Sequence, residues 1–209
     1  MNIIDSLQWR YATKKFDDAK IVSAQKIDIL KQAFNLTATS YGLQPLKLVV
    51  LKNKNIQKSL VPHSFNQGQI AQASHVLIIC IEDVVDETYI REYFELVKQK
   101  RGTPEEVLSS FRDFLITDFN NKTPQEITQA SVKQAYLALG NLLTVCAVEK
   151  IDACPMEGFN SEQYKNVLNL KVNNITPVLV LPVGYRAKDD MFADFKKVRK
   201  NLEDIIIDM

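Results

Sequence analysis

Cysteine, histidine and glycine are all scarce in this chain: three, two and six residues respectively among 209. The cysteines, Cys80, Cys146 and Cys154, sit in apolar surroundings at unpaired spacings. So odd and sparse a set excludes a disulfide framework and fits a reducing compartment. With only His63 and His75 beside them, they form no zinc-ligand pattern, so no metal is expected. No Gly-rich nucleotide fingerprint, phosphate loop or nucleophile elbow is present. Charge of one sign is missing too, since 26 Lys and Arg against 25 Asp and Glu leave a net charge of +1. That balance provides no global field for gripping nucleic acid. No apolar run approaches the roughly 20 residues of a membrane helix. The opening MNIIDSLQWR is too short and polar for a signal-peptide core. These absences predict a soluble, cytoplasmic protein with neither membrane nor nucleic acid as partner.

What is present is ordinary globular material, 46% apolar and 24% charged, of a length that suits one domain over 1–209. Asn2 to Gln8 reads as a short helix with Ile3, Ile4 and Leu7 on one face, and Ser23 caps a second helix. Leu46–Leu51 and Val76–Ile81 read as strands, the second too continuously apolar to be half exposed. A charged stretch at about 87–118, with Tyr93, Phe94, Phe111 and Phe114 interleaved, predicts a helical excursion in which Pro104 takes a first helical position. Thr123-Pro124-Gln125-Glu126 is a capping box. The helix it opens runs to about Lys150 and is apolar on nearly every face from Ala135 to Val148. Such a helix must be covered, by the core or by a second subunit. Thr176–Gly184 is the last strand, and a charged arm at about 190–209 ends in Ile205-Ile206-Ile207, which needs a surface to cover. The order of elements predicts an α+β fold or a central mixed sheet flanked by helices.

The chemistry-bearing residues fall into short clusters. Arg10-Tyr11-Ala12-Thr13-Lys14-Lys15-Phe16 carries three cations, and Lys196-Lys197-Val198-Arg199-Lys200 carries four. Arg10 can grip a phosphate bidentately, with Lys14 as a point charge elsewhere on the same ligand. Alone, such a run is more readily a solvated face. Gln44, in the turn Ser40–Pro45, can read a heterocycle edge or serve only its own backbone. Asn66 and Gln69 present amides at helical spacing. His75, entering a buried strand, suits a structural role. Pro155-Met156-Glu157-Gly158 is a turn whose amides can approach a planar ligand. Glu157 has no second carboxylate or histidine near it in sequence, so its backbone matters more than its acid.

In this order and at these separations, the clusters resemble the nitroreductase family, in particular its oxygen-insensitive NAD(P)H nitroreductase and flavin reductase branch. Arg10–Asp17, Ser40–Pro45, Phe65-Asn66, Ala73–Val76, Lys133–Tyr136, Gly140-Asn141, Pro155–Phe159 and Lys197–Arg199 carry the resemblance, which covers essentially the whole chain. It implies an intertwined homodimer with long interface helices and a C-terminal arm embracing the partner. FMN, bound non-covalently, would be reduced by NAD(P)H and passed over by nitroaromatic, quinone, flavin or pteridine acceptors in a ping-pong cycle. By the same resemblance Arg10, Lys197 and Arg199 hold the phosphate, and Tyr11, Ala12 and Lys14 lie along the flavin. Thr39, Ser40 and Gln44 come from the other subunit, and Asn66 and Gln69 flank the pyrimidine edge. Pro155, Met156, Glu157 and Gly158 lie against the ring near its reactive nitrogen. Lys14, Glu157 and Gly158 would then be the catalytic positions. Two positions depart from the pattern: Gln69 stands where close members carry lysine, and Gly42 and Leu46 replace an Asn and a Trp. Other readings are reductive dehalogenation or flavin destruction in the same fold, and a flavin-binding dimer without turnover, which Gln69 favours.

Overall fold

The protein is described by a computed structural model covering residues 2–209. Its organising element is a strand, β2 (His75–Glu82), buried along His75–Ile81. Alternate residues point to opposite faces of a strand. Leu77, Ile79 and Ile81 accordingly enter one apolar cluster, while Val76, Ile78 and Cys80 enter another. Continuous apolarity is therefore two half-faces, each with its own cover. Neighbouring strands β1 (Leu46–Leu51) and β4 (Ile175–Gly184) pair with it, and a short β3 (Asp152–Ala153) joins β4, giving the order β1-β2-β4-β3. All three pairings are antiparallel. The expected mixed character survives only as an isolated parallel bridge from Ala12 to Ala153. Pro177 pairs opposite Cys80 at a bulge, where a residue without an N–H is tolerated.

One face is covered by α7 (Pro124–Val148), opened by the predicted Thr123/Glu126 capping box. Its Ala135, Ala138, Leu139, Leu142 and Cys146 pack on the sheet together with Val22, Ile27 and Leu30, which belong to or flank α2 (Ala24–Asn35). The reverse side is uncovered in a single chain: Tyr136 is 44% and Leu137 55% exposed. Contrary to the sequence expectation, α7 has the length and composition to cross a bilayer. Here its buried row lies on the sheet. The other face is covered in part by α3 (Lys54–Leu60), α4 (Gln69–Gln72) and α8 (Ser161–Val167), with Tyr164 fully buried and hydrogen-bonded to Ser64 at 2.7 Å.

The charged stretch forms two helices, α5 (Glu87–Arg101) and α6 (Glu105–Asn120). Ile90, Phe94, Leu108, Leu115, Ile116 and Leu43 give it a cluster of its own. Pro104 stands at the cap of α6, one place before the expected first helical position. The first helix, α1 (Ile3–Trp9), is capped by the Asn2 side chain. Beyond Asp190 the chain makes only two short turns, and Ile205, Ile206 and Ile207 are exposed.

Candidate functional site

The basic heptapeptide is a solvated face only in part: Thr13 and Phe16 are buried and Arg10 is half-buried, while Lys14 and Lys15 are exposed. α1 ends at Arg10, whose backbone is extended, and the chain then runs along the sheet edge. The Thr13 N–H donates to the Ala153 carbonyl at 3.3 Å, Ala187 N–H to Lys15 O at 3.0 Å, and Asp17 N–H to Tyr185 O at 2.8 Å. Under it lies an ion pair. Buried Asp152 accepts from the Arg186 Nε at 2.7 Å and from its backbone N–H at 2.8 Å. The Arg186 guanidinium sits 4.4 Å from the Trp9 ring and 4.5 Å from the Tyr11 ring, in cation–π contact with both. A second buried acid, Asp190, accepts from the Tyr11 hydroxyl at 2.8 Å, Lys14 N–H at 2.9 Å and Lys15 N–H at 3.1 Å, all on one oxygen. Its other oxygen accepts from the Phe192 N–H at 3.2 Å. Tyr11, Thr13 and Phe16 are thereby fixed, and Lys15 reaches outward to exposed Asp189.

Arg10 and Lys14 form one wall of a cleft of about 400 Å³ whose other wall is Phe192, Lys197 and Arg199. The Lys197 ammonium donates to the carbonyls of Leu7 (3.0 Å) and Arg10. Among the described residues no carboxylate pairs with Arg10, Lys14, Lys197 or Arg199. Burial lowers the pKa of Arg10, and the charge of Arg199 lowers it further. Lys197 is lowered by burial and then by Arg10 and Arg199. Cations gathered against their own repulsion, with no internal counter-charge, have the chemistry to receive a compact anion.

Towards the opposite end of the heptapeptide a single cation, Lys14, meets neutral groups. Lys14 Nζ and Gln69 Nε2 both stand 3.9 Å from the Cys154 sulfur. Gln69 also donates to Gln67 at 3.4 Å, and Gln67 donates to the Gly158 carbonyl at 3.0 Å. Lys14, Gln69 and Gly158 are thus joined through Cys154 and Gln67, neither of which the sequence singled out as a site residue. Burial pushes the Cys154 thiol up, against the opposing pull of Lys14. The neighbouring Phe65 and Asn66 are consecutive left-handed residues, at φ 50° and 57°, a conformation that costs about 1 kcal/mol or more each and concentrates at ligand sites. A side chain at Gly158 would lie 3.1 Å from the Gln67 amide and 3.2 Å from the Phe65 ring, so only glycine leaves that face clear.

Within the turn, Pro155 and Gly158 are half-buried and Glu157 exposed. Met156 corrects the sequence reading. Its side chain is in the core and its backbone exchanges both hydrogen bonds with Val180, at 2.8 and 3.0 Å. It anchors the turn and has no free group to offer a ligand. Among the described residues the N–H groups of Glu157 and Gly158 donate to no acceptor in the chain. Glu157 does have a titrating neighbour, Tyr136 of α7, whose phenol its carboxylate pushes up.

Thr39, Ser40 and Gln44 lie elsewhere, in the connection from α2 to β1, and none lines the cationic cleft. Ser40 N–H donates to Gln134 at 2.8 Å, and the Gln44 amide to Asn35 O at 3.0 Å. Thr39 and Gln44 line a separate cleft of about 630 Å³ between α2, β1 and α5. Gly42 is explained by space: a side chain there would meet the Tyr93 hydroxyl at 2.3 Å. His75 is buried and bonded to Ser74 at 2.8 Å, a structural histidine.

The architecture is thus a helix-covered antiparallel sheet with a cationic cleft at its edge, and Lys14 stands between that cleft and the side chains of Cys154, Gln69 and Gln67 that lead to the Gly158 turn. The chain matches the sequence model of the Nitroreductase family over residues 7–185 and belongs to that family. It is 32% identical, over 98% of its length and 95% of the other chain, to a Staphylococcus epidermidis protein named "Putative NAD(P)H nitroreductase". A Bacillus subtilis protein of the same designation is 29% identical over 98% of this chain and 96% of its own. The fold matches that of a Bacillus subtilis protein described as a "putative nitroreductase" at a TM-score of 0.87 with 16% identity, covering 99% and 98% of the two chains. An Exiguobacterium sibiricum structure solved in complex with FMN matches at 0.83 with 19% identity, covering 100% and 98%.

Proposed function

We propose that this chain is an FMN-dependent oxidoreductase carrying reducing equivalents from NAD(P)H to nitroaromatic, quinone, flavin or pteridine acceptors, in a cytoplasmic homodimer. The observation that carries the reading is the unpaired cluster of Arg10, Lys197 and Arg199, which fits a phosphate dianion. The residues present fit the whole group: cations for its phosphate, Lys14 and neutral amides along its length, and the free N–H groups of Glu157 and Gly158 beyond. The relatives' names and the FMN complex of the Exiguobacterium protein agree with this reading.

When bound, FMN would supply two-electron hydride chemistry, taking and giving in alternate half-reactions. The chain's own residues have simpler tasks. Lys14 would hold a cation near the side of the flavin that gains negative charge on reduction, an electrostatic stabilisation. Glu157 and Gly158 offer backbone donors, which need no nucleophile and no acid–base pair. The domain is taken as 1–209, with an excursion at 87–118 and an arm at 190–209. Pairing would cover the open side of α7 and give Ile205–Ile207 a surface. It would also bring Thr39, Ser40 and Gln44 of one protomer to the groove of its partner.

Gln69, buried and neutral, favours a second reading, flavin binding without turnover. Anaerobic addition of NADH, then NADPH, to the FMN-loaded protein decides between them. Bleaching of the flavin absorbance is expected. A yellow protein that neither donor bleaches supports the second reading, and a protein that takes up no FMN removes both.

A further inference from the structure

We infer that Asp190 is a positioning residue for the phosphate end of this groove, holding its two walls in register so that the site discriminates FMN from its dephosphorylated counterpart, riboflavin. The inference rests on the FMN reading above. Asp190 is 4% exposed and does not line the cleft, so it is no ligand, and a carboxylate facing a phosphate would repel it. It faces the other way. Three donors of the heptapeptide, the Tyr11 hydroxyl and the Lys14 and Lys15 N–H groups, converge on one oxygen, and the Phe192 N–H of the C-terminal segment meets the other. Arg10 and Lys14 therefore hang on one side of this carboxylate. The segment leading to Lys197 and Arg199 hangs on the other.

Among the described residues, the other side-chain hydrogen bonds between these two segments are made by exposed groups. Asp189, its neighbour, is exposed and reaches only the Lys15 ammonium. The contacts from Lys197 to the Leu7 and Arg10 carbonyls are on the surface. An amide cannot replace the carboxylate, because one of its two ends is a donor and would face N–H or O–H groups. Buried hydrogen bonds to a charged group are among the stronger ones. Loosening them lets the two cationic walls drift apart, and their mutual repulsion favours that drift.

The test titrates apo-protein with FMN and with riboflavin, following quenching of flavin fluorescence, for wild type, Asp190→Asn, Tyr11→Phe and Asp189→Asn. Wild type should prefer FMN. Asp190→Asn should weaken FMN by about tenfold while leaving riboflavin affinity within about twofold. Asp189→Asn should behave as wild type. If Asp190→Asn gives no cooperative melt, Tyr11→Phe, which removes one of the four bonds, takes its place. It should reduce the FMN preference by about threefold. A merely structural Asp190 would weaken both ligands alike, and an unchanged ratio of affinities in Asp190→Asn or Tyr11→Phe overturns the inference. A wild-type protein that binds riboflavin as tightly as FMN overturns instead the phosphate reading beneath it.

Discussion

The two basic clusters look alike in sequence and are unlike in structure. Arg10–Lys15 is nailed down: bridged to β3, clamped by Asp190, and carried on the Asp152–Arg186 pair between two aromatic rings. Lys196–Lys200 is exposed throughout and is held mainly through Lys197 and the turn after Asp190. On the proposed function, half of the anion site is preformed and half is recruited. Preorganised charge loses little freedom on binding, whereas an exposed strap must be ordered by its ligand. Supports of the first cluster should accordingly govern stability. Residues of the second should govern ligand retention.

Asp152→Ala is the most severe way to break that contrast. It leaves the Arg186 guanidinium without its buried partner and should cost about 3 kcal/mol or more, seen as a lower denaturation midpoint. No loss would mean that the heptapeptide does not depend on its support. Lys14→Met comes next, because it leaves the fold intact while removing the cation at the ring end. The two-electron midpoint potential of the bound flavin should fall in a dye-equilibrated titration, and an unmoved potential would place Lys14 away from the ring. A smaller effect concerns acid. Burial works to raise the Asp190 carboxyl, but hydrogen bonds from Lys15, Tyr11, Lys14 and Phe192 outweigh it and hold the group below its ordinary 3.8. Stability from a depressed acid is complete above the unfolded value and is lost as pH falls through the folded one. The melting-temperature gap between wild type and Asp190→Asn should be level from about pH 7 to 5 and close below about pH 4. A gap that instead closes on raising the pH would contradict the carboxylate's role. Smallest of all, Lys196→Ala should leave stability within about 0.5 kcal/mol.

The same contrast explains what could be read from the chain alone. β1 and the start of α7 are legible to the residue, because a leucine- and valine-rich run and a capping box are local signals. β3 and the extended course of the heptapeptide are invisible, since two-residue pairings across the chain leave no period to find. The short helices α3 and α8 are lost for a related reason, too few turns to show a stripe. At the site, the cations announce themselves as clusters. Their organisers do not: Asp190 stands in Lys188-Asp189-Asp190, which reads as solvated charge, and its only local mark is its place as cap before Met191. Arg186 and Asp152 are 34 positions apart. Glu157 found a neighbour in Tyr136 only through tertiary packing.

On the proposed function the two clusters close on one phosphate. Equilibrium dialysis of apo-protein against FMN, wild type beside Arg199→Ala, tests it most directly. The substitution should raise the dissociation constant about tenfold with no change in the melting temperature of the apo-protein. Equal FMN retention by the two proteins would place the phosphate elsewhere and contradict the account.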